Sequence, residues 1–265
     1  MKRILIFSAL LQSLFCISQT MYNIEYDFTD IHQNVLKSTL HTNNTEAVYR
    51  ILDDRENGVV GNEETAYVVV NDSINKVFYA NQETAYYRFP VHRKDIVYLD
   101  EYKNKLKWTI NIENKKKIGK YNCTEAKTWF NGRNYTVWFT FDVPIKFGPL
   151  KLHQLPGLVV QVLEDTGLFK INIKSITKSS SNKEFNHYKK YFLKQEKIMN
   201  YKEFEKTVLE LEVGFQTKHF ADIKKENMES GTTTSCDNKG LDEEVVEFYL
   251  EFPANLKSAL SKVSL

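Results

Sequence analysis

Residues 123–143 read CTEAKTWFNGRNYTVWFTFDV, and this stretch decides the fold class. Asn131-Gly132 lies near its centre, and this dipeptide tolerates the positive φ angles of a tight two-residue hairpin turn. In the register set by that turn, Phe130 and Arg133 flank the two turn residues. One face then carries Thr124, Ala126, Thr128, Phe130, Arg133, Tyr135, Val137 and Phe139, and the other, more polar face carries Trp129 and Trp138. The stretch therefore predicts an antiparallel β-hairpin with one buried face.

The same period of two extends in both directions from this hairpin. Apolar and polar side chains alternate in short runs joined by connectors rich in Gly, Asn and Asp. Predicted strands lie at residues 21–28, 47–52, 66–70, 76–80, 85–89, 95–99, 106–111, 158–162 and 169–173. Short strands with short links favour an antiparallel meander over helical crossovers. Residues 19–176 are therefore expected to form a mainly β domain, a meander that makes a curved sheet or a partly open barrel.

Residues 177–265 have a different pattern, with a polar linker followed by segments of helical period. Asn200 is a good helix N-cap, and Glu203 three residues later completes the pattern of a capping box. An apolar stripe at helical spacing follows, formed by Tyr201, Phe204, Val208 and Leu211. Such a stripe usually packs on a core. A C-terminal helical segment is thus expected to dock on the sheet.

Residues 1–18 have the composition of a secretory signal peptide. Lys2 and Arg3 precede an apolar run from Ile4 to Ile17, the small residue Ser18 follows as a cleavage site, and the run is too short for a comfortable membrane span. Cys16 is a poor lipidation site because Phe15 stands where a small residue is needed. The sequence predicts an exported chain with no transmembrane span after cleavage, in the periplasm, at the outer membrane or outside the cell.

Net charge limits the classes of binding partner, and the cysteine content indicates one possible disulfide. The chain has 36 Lys and Arg against 34 Asp and Glu, and loss of Lys2 and Arg3 leaves equal numbers. Nucleic acid is therefore not expected as a partner, because binding phosphates needs a surplus of positive charge. The lysines at 115–117 are expected in a solvated loop. In an exported chain, Cys123 and Cys236 form a possible disulfide.

Residues 146–162, KFGPLKLHQLPGLVVQV, form a rigid double turn before a strand. Pro156-Gly157 suits a type II turn, and Gly148-Pro149 forces an extended or turn conformation. One interpretation is a covering loop that directs the following strand into the middle of the sheet. In the other, the loop presents a binding site made of Lys151, Leu152, His153 and Gln154. Trp129 and Trp138 likewise form either a binding surface or a face covered by the C-terminal helices.

No catalytic motif emerges from the sequence. The six histidines lack metal-ligand spacing, and nucleophile-elbow, His-Glu-x-x-His and phosphate-loop motifs are missing. No catalytic residue, metal or cofactor is therefore assigned. The expected function is a non-enzymatic binding or accessory module for an apolar ligand or an envelope protein. The alternative is an envelope hydrolase or thiol-dependent enzyme that uses His153 with Cys123 or a carboxylate.

Residues 118–173 resemble the GLPGLI family of exported proteins from Bacteroidota. The resemblance covers the I-G-x-Y-x-C-x-x-A opening, the aromatic Gly-Arg-x-Tyr hairpin, Gly148-Pro149 and Leu155-Pro156-Gly157-Leu158. Gln154 replaces the first glycine of the signature, Val159 replaces its last isoleucine, and Leu150 stands where an aromatic residue is usual. The resemblance implies a mainly β exported protein without an established activity. Asp-Ser-Ile at 72–74 also resembles an O-glycosylation site of these bacteria, at Ser73.

Overall fold

The computed structural model describes residues 20–30, 33–52, 58–60, 67–69, 76–91, 94–99, 106–130, 133–167, 169–179 and 181–230. The predicted signal peptide, Ser73 and Cys236 lie outside these residues. The first eight strands are β1 (Met21–Thr29), β2 (Val35–Thr42), β3 (Glu46–Leu52), β4 (Gly58–Val60), β5 (Tyr67–Val69), β6 (Lys76–Asn81), β7 (Ala85–Val91) and β8 (Lys94–Leu99). Five more follow: β9 (Thr109–Ile118), β10 (Tyr121–Phe130), β11 (Arg133–Thr140), β12 (Leu158–Glu164) and β13 (Lys170–Ser179). The helices are α1 (Lys183–Leu193) and α2 (Tyr201–Ser230).

Eleven of the described strands form one antiparallel sheet in the order β8-β7-β6-β3-β2-β1-β13-β12-β11-β10-β9. Strands β1–β3 and β6–β8 supply one meander, β9–β13 supply the other, and the two join where β1 pairs with β13. The remaining strands, β4 and β5, pair only with each other. The prediction of a mainly β antiparallel fold is confirmed. The sheet is open, because β8 and β9 lie at opposite edges of this order.

The β10–β11 hairpin has the predicted register. Phe130 pairs with Arg133, and Trp129 pairs with Asn134. Trp129 and Trp138 therefore lie on the same face of the sheet, which we call the outer face.

The prediction for residues 115–117 is wrong, because these lysines belong to β9 and not to a loop. β9 is an edge strand and is exposed along almost its whole length, so charged side chains are tolerated there. Its pairing with β10 shifts between Asn111 and Lys115. At this irregularity the side chain of Asn111 accepts hydrogen bonds from the backbone N–H groups of Glu113 and Asn114.

The opposite, inner face carries the main hydrophobic core. Large buried side chains from both meanders meet there, including Tyr26, Tyr49, Tyr87, Tyr98 and Phe139. Residues 144–157, which we call the signature loop, cross this face and add their own buried apolar residues: Ile145, Phe147, Leu150, Leu152 and Leu155. The signature loop is therefore part of the core.

Helix α2 closes the β8 end of the inner face. Its N-terminus has the predicted capping box: Glu203 N–H donates to Asn200 Oδ1 at 2.9 Å, and Asn200 N–H donates to Glu203 Oε2 at 3.2 Å. Phe204 is fully buried and stacks on Tyr98, with ring centroids 4.0 Å apart. Just before the helix, Met199 pairs with β8 through its backbone. The predicted docking of this apolar stripe on the sheet is confirmed.

Helix α1 packs on the outer face of the first meander. Its residues Phe185, Tyr188 and Phe192 cluster with Val48 and Tyr79. Glu184 anchors the start of the helix, because it accepts a hydrogen bond from Arg50 at 2.5 Å, and the Arg50 guanidinium lies 4.0 Å from the centre of the Tyr188 ring. Neither described helix has the length and apolar character of a membrane span.

Candidate functional site

The signature loop turns most of the predicted site residues inward. Lys151, Leu152 and His153 are buried, and only Gln154 of the four is exposed. The loop therefore covers the inner face, as the first interpretation expected, and does not present Lys151, Leu152 or His153 to solvent.

Lys151 places its ammonium group among four aromatic rings. Its Nζ atom lies 4.8 Å from the ring centre of Tyr87, 5.3 Å from Phe130, 5.5 Å from Tyr98 and 5.6 Å from Tyr201. At such distances the faces of aromatic rings attract a cation. The rings belong to β7, β10, β8 and α2, so one side chain joins the signature loop to four elements.

His153 is engaged in holding the loop. Its Nδ1 accepts a hydrogen bond from the Gly148 N–H at 3.3 Å, and its carbonyl oxygen accepts one from the Trp108 indole at 2.9 Å. The imidazole packs edge-on against Phe147, with ring centres 5.5 Å apart. Between His153 and the sheet lies a cavity of about 10 Å³, too small for anything larger than one water molecule. These contacts describe a structural histidine.

The two glycines of the signature loop are needed for space. A Cβ atom on Gly148 would lie 2.1 Å from the Leu152 carbonyl oxygen, and one on Gly157 would lie 2.0 Å from the Thr140 carbonyl oxygen. The predicted type II turn is wrong, since Gly157 does not have positive φ. Positive φ occurs instead at Leu150 (54°) and Gln154 (74°).

Cys123 lies on the outer face, buried with Tyr121, Trp138 and Val160. It is a free thiol, and its predicted partner Cys236 lies outside the described residues. Burial raises the pKa of the Cys123 thiol above its usual value. Because His153 packs on the inner face, the sheet separates the two groups, and the Cys123–His153 pair that the enzyme alternative requires does not form.

The two helices leave the outer surface of the second meander uncovered. Its central residues are Lys116, Trp129, Thr136, Trp138, Gln161 and Asn172, which we call the outer strip. Trp129 is 67% exposed, whereas Trp138 is only 7% exposed. The predicted shared face of the two tryptophans is thus correct, but neither described helix covers it.

A hydrogen-bonded row crosses the outer strip. Lys116 Nζ lies 4.0 Å from the Trp138 ring centre and donates to Gln161 Oε1 at 2.9 Å. Gln161 Nε2 in turn donates to Asn172 Oδ1 at 2.7 Å. Burial, the largest influence, lowers the pKa of Lys116. The sequence prediction missed these three polar residues, although the alternation along β12 and β13 puts Gln161 and Asn172 on the polar face.

Three carboxylates around the outer strip each lie close to a lysine. Lys37 lies 3.0 Å from Glu25, Lys127 lies 3.5 Å from Glu125, and Lys174 lies 3.7 Å from Asp27. The hydrogen bond from Lys37 lowers the pKa of Glu25. Within the described part of the chain, His, Cys, Asp and Glu side chains form no group of three or more that is placed to hold a metal ion.

Several solved structures are similar to the chain at low identity. Two crystal forms of PNGF-II match 68% and 72% of this chain, with 18% and 16% identity and TM-scores of 0.47 and 0.49. An uncharacterized conserved protein from Thermus thermophilus matches 76% of this chain and 99% of its own, with 7% identity and a TM-score of 0.38. This chain covers 31% and 34% of the PNGF-II chains, or about a third of their length. No curated protein matches it.

A family model gives a more specific result. The model described as "N-glycanase peptide, N-terminal domain" matches residues 35–203, which is more than half of the 265 residues. The chain therefore belongs to the family of N-glycanase N-terminal domains.

Proposed function

We propose that the chain is an exported, non-enzymatic binding module and that the outer strip is its binding surface. The observation that carries this proposal is the contrast between the two faces of the second meander. The signature loop fills the inner face, and an indole that is 67% exposed lies on the uncovered outer face. Exposed aromatic residues on a rigid scaffold are common anchors of binding surfaces.

An interior ligand site has less support. The cavity at His153 is too small for an apolar ligand, and His153 itself is buried with its Nδ1 already accepting a hydrogen bond. The thiol-dependent enzyme alternative requires contact between Cys123 and His153, and these two residues lie on opposite faces of the sheet.

The family supports an accessory role. Its description names an N-terminal domain, which is one part of a longer chain. We infer that residues 35–203 have an accessory role. The proposal of export is based on the composition of residues 1–18.

Membership of the GLPGLI family is also our proposal. The positive φ of Gln154 supports it, because the family signature has glycine at that position.

Native mass spectrometry of the chain purified from its own cell envelope tests the proposal. We expect a bound component with the unmodified chain, loss of that component with Trp129→Ala, and retention with Leu193→Ala. Leu193 on α1 is a matched control, because it is also 67% exposed and apolar but lies away from the outer strip. Equal binding by all three chains would refute the outer strip as the binding surface.

A further inference from the structure

We propose that the edge strand β9 binds an extended acidic peptide, which adds one more strand to the sheet. This surface is the edge of the second meander and shares only Lys116 with the outer strip. The inference therefore goes beyond the proposed function and does not rest on it. Three properties of β9 carry it: its position in the sheet, its charge and the directions of its lysine side chains.

β9 lies at the end of the strand order, and among the described strands it pairs with β10 alone. One side of its backbone therefore carries N–H and C=O groups that pair with no other described strand. Nine of its ten residues are exposed, including Ile110 and Ile112. A sheet edge of this kind is a template onto which an extended peptide can add through main-chain hydrogen bonds.

The other edge of the sheet is closed by the chain itself. Leu99 N–H donates to the Met199 carbonyl oxygen at 2.9 Å, and Met199 N–H donates to the Val97 carbonyl oxygen at 3.0 Å. Helix α2 follows directly and packs on β8 through Phe204. Of the two edges in the described part of the chain, β9 is therefore the one whose backbone is open to a partner.

Positive charge is concentrated along β9 and its flanks. Residues 107–120 contain five lysines and one glutamate, a formal charge of +4, whereas the whole chain has a charge of +2. These five lysines are all exposed: Lys107, Lys115, Lys116, Lys117 and Lys120. None of them forms an ion pair with a carboxylate of the described residues. The edge therefore attracts an anionic partner and repels a second copy of itself.

The neighbouring strand β13 adds to this charge. Burial is the main influence that lowers the pKa of Lys116, and the nearby charge of Lys170 lowers it further. The two ammonium groups thus repel each other across the sheet. An anion beside them relieves this repulsion.

The directions of the lysine side chains favour a strand over a flat anionic surface. Successive side chains of a strand point to opposite faces of its sheet. Lys116 lies on the outer face, where its Nζ atom is 4.0 Å from the Trp138 ring centre, so Lys115 and Lys117 point to the other face. A membrane could approach only one face at a time. A peptide strand beside β9 can place carboxylates opposite all three lysines.

The irregularity within β9 limits the length of the added strand. Pairing with β10 is regular from Lys115 to Ile118 and shifts between Asn111 and Lys115. Such an irregularity bends the edge and interrupts the template. The regular part has four residues and is about 13 Å long. The partner is therefore a short acidic segment.

Fluorescence anisotropy on the full chain tests the inference with a labelled peptide in which glutamate alternates with threonine. We expect binding that weakens as the salt concentration rises, because the charges are exposed. A peptide of the same sequence with all its backbone nitrogens methylated keeps its charge but has no main-chain donors, so we expect it not to bind. Amide hydrogen exchange in β9 should slow when the unmethylated peptide is bound.

Two double variants separate the edge from the net charge of the chain. Lys115→Glu with Lys117→Glu should weaken peptide binding by about tenfold or more, because attractive cross-strand pairs become repulsive. Lys202→Glu with Lys218→Glu makes the same change of charge at exposed positions of α2 and should have little effect. Circular dichroism of each variant checks the fold.

Three results would overturn the inference: equal weakening by the two double variants, equal binding of the methylated peptide, or preferential binding to phosphatidylserine vesicles or to a single-stranded oligonucleotide. The proposed function is tested separately, by the dependence of the component seen in native mass spectrometry on Trp129. If the acidic peptide does not bind and that component still depends on Trp129, the edge assignment fails and the outer strip stands. If the peptide binds as expected and the component is indifferent to Trp129, the edge assignment stands and the outer strip fails.

Discussion

Gln154 is held in a backbone conformation that glycine adopts more easily. Its φ of 74° lies in the left-handed region, where a Cβ atom costs about 1–2 kcal/mol. The residue stays there because its N–H donates to the Lys146 carbonyl oxygen at 2.8 Å, which fixes the signature loop. Gln154 is thus a point of strain in the loop.

We expect Gln154→Gly to raise the free energy of unfolding by about 1 kcal/mol, because glycine removes the Cβ and its strain. Urea denaturation of the two chains measures this difference. Gln154→Ala is the control, since alanine removes the side chain but keeps the Cβ. An equal effect of the two substitutions would show that the side chain, and not the backbone, determines the change.

The inward orientation of Lys151 and His153 could not be predicted from the sequence. The alternation Leu150-Lys151-Leu152-His153 looks like a strand whose polar residues point to solvent. The segment is instead a turn, in which the Leu152 N–H donates to the Pro149 carbonyl oxygen at 3.1 Å and Leu150 has positive φ. The period of two does not apply in a turn. The four rings around Lys151 are contributed by distant parts of the sequence, so no local pattern indicates them.

At the scale of elements, α2 is fixed to the sheet mainly by its first turns. Phe204 is fully buried and stacks on Tyr98, and it is the central contact of this docking. We expect Phe204→Ala to lower the free energy of unfolding by about 3–5 kcal/mol, because it leaves a cavity under the helix. Chemical denaturation followed by circular dichroism measures the loss.

Lys206→Ala is the matched control on the same helix. Lys206 is exposed, and its ion pair with Glu210, at 3.7 Å, lies on the surface. We expect this substitution to change stability by no more than about 0.5 kcal/mol. Similar losses for the two variants would mean that helix propensity, and not docking, determines the stability of α2.

The docking of α1 should depend on pH through His41. Burial is the main influence that lowers the pKa of His41, Arg50 lowers it further, and Glu184 opposes both. His41 is therefore harder to protonate in the folded chain than in the unfolded chain, where it takes up a proton below about pH 6.5. The contribution of neutral His41 to stability is present above that pH and is lost as the pH falls.

We expect the stability of the unmodified chain to fall more between pH 7.5 and 5.5 than that of His41→Asn. Denaturation curves at several pH values measure the two slopes. His187→Asn, at an exposed position of α1, is the control and should follow the unmodified chain. If the unmodified chain and His41→Asn have equal slopes, His41 does not determine the acid sensitivity.

Elements marked by a turn or cap motif in the sequence could be predicted. The full extent of the edge strand β9 could not, because it depends on the position of the strand in the sheet. The Asn131-Gly132 dipeptide fixed the register of β10 and β11, and the capping residues Asn200 and Glu203 fixed the start of α2. β9 was missed in part, because three successive lysines resemble a solvated loop. An edge strand pairs with a neighbour on one side only. The side chains of β9 are exposed, so three successive lysines can belong to this strand.

At the scale of the molecule, the pairing of β1 with β13 creates the two faces on which the function depends. This pairing joins residues about 150 positions apart, such as Glu25 and Ser175. Sequence patterns report local period and turns, so they predicted a meander but not where its two ends meet. That junction places the signature loop on the inner face and the outer strip on the other. The candidate surface is therefore a property of the topology, although its tryptophans were visible in the sequence.

The separation of the faces also predicts that the Cys123 thiol is unreactive in the folded chain. Cys123 is 1% exposed, and burial raises its pKa. The thiolate is the nucleophilic form of cysteine, so both access and ionisation are low. We expect a chain with Cys16 and Cys236 replaced by serine to react with Ellman's reagent at pH 8 far more slowly when folded than when denatured in guanidinium chloride. Cys123→Ala should keep the binding of the outer strip. Rapid labelling of one thiol in the folded chain would show that Cys123 is accessible and would reopen the thiol-dependent alternative.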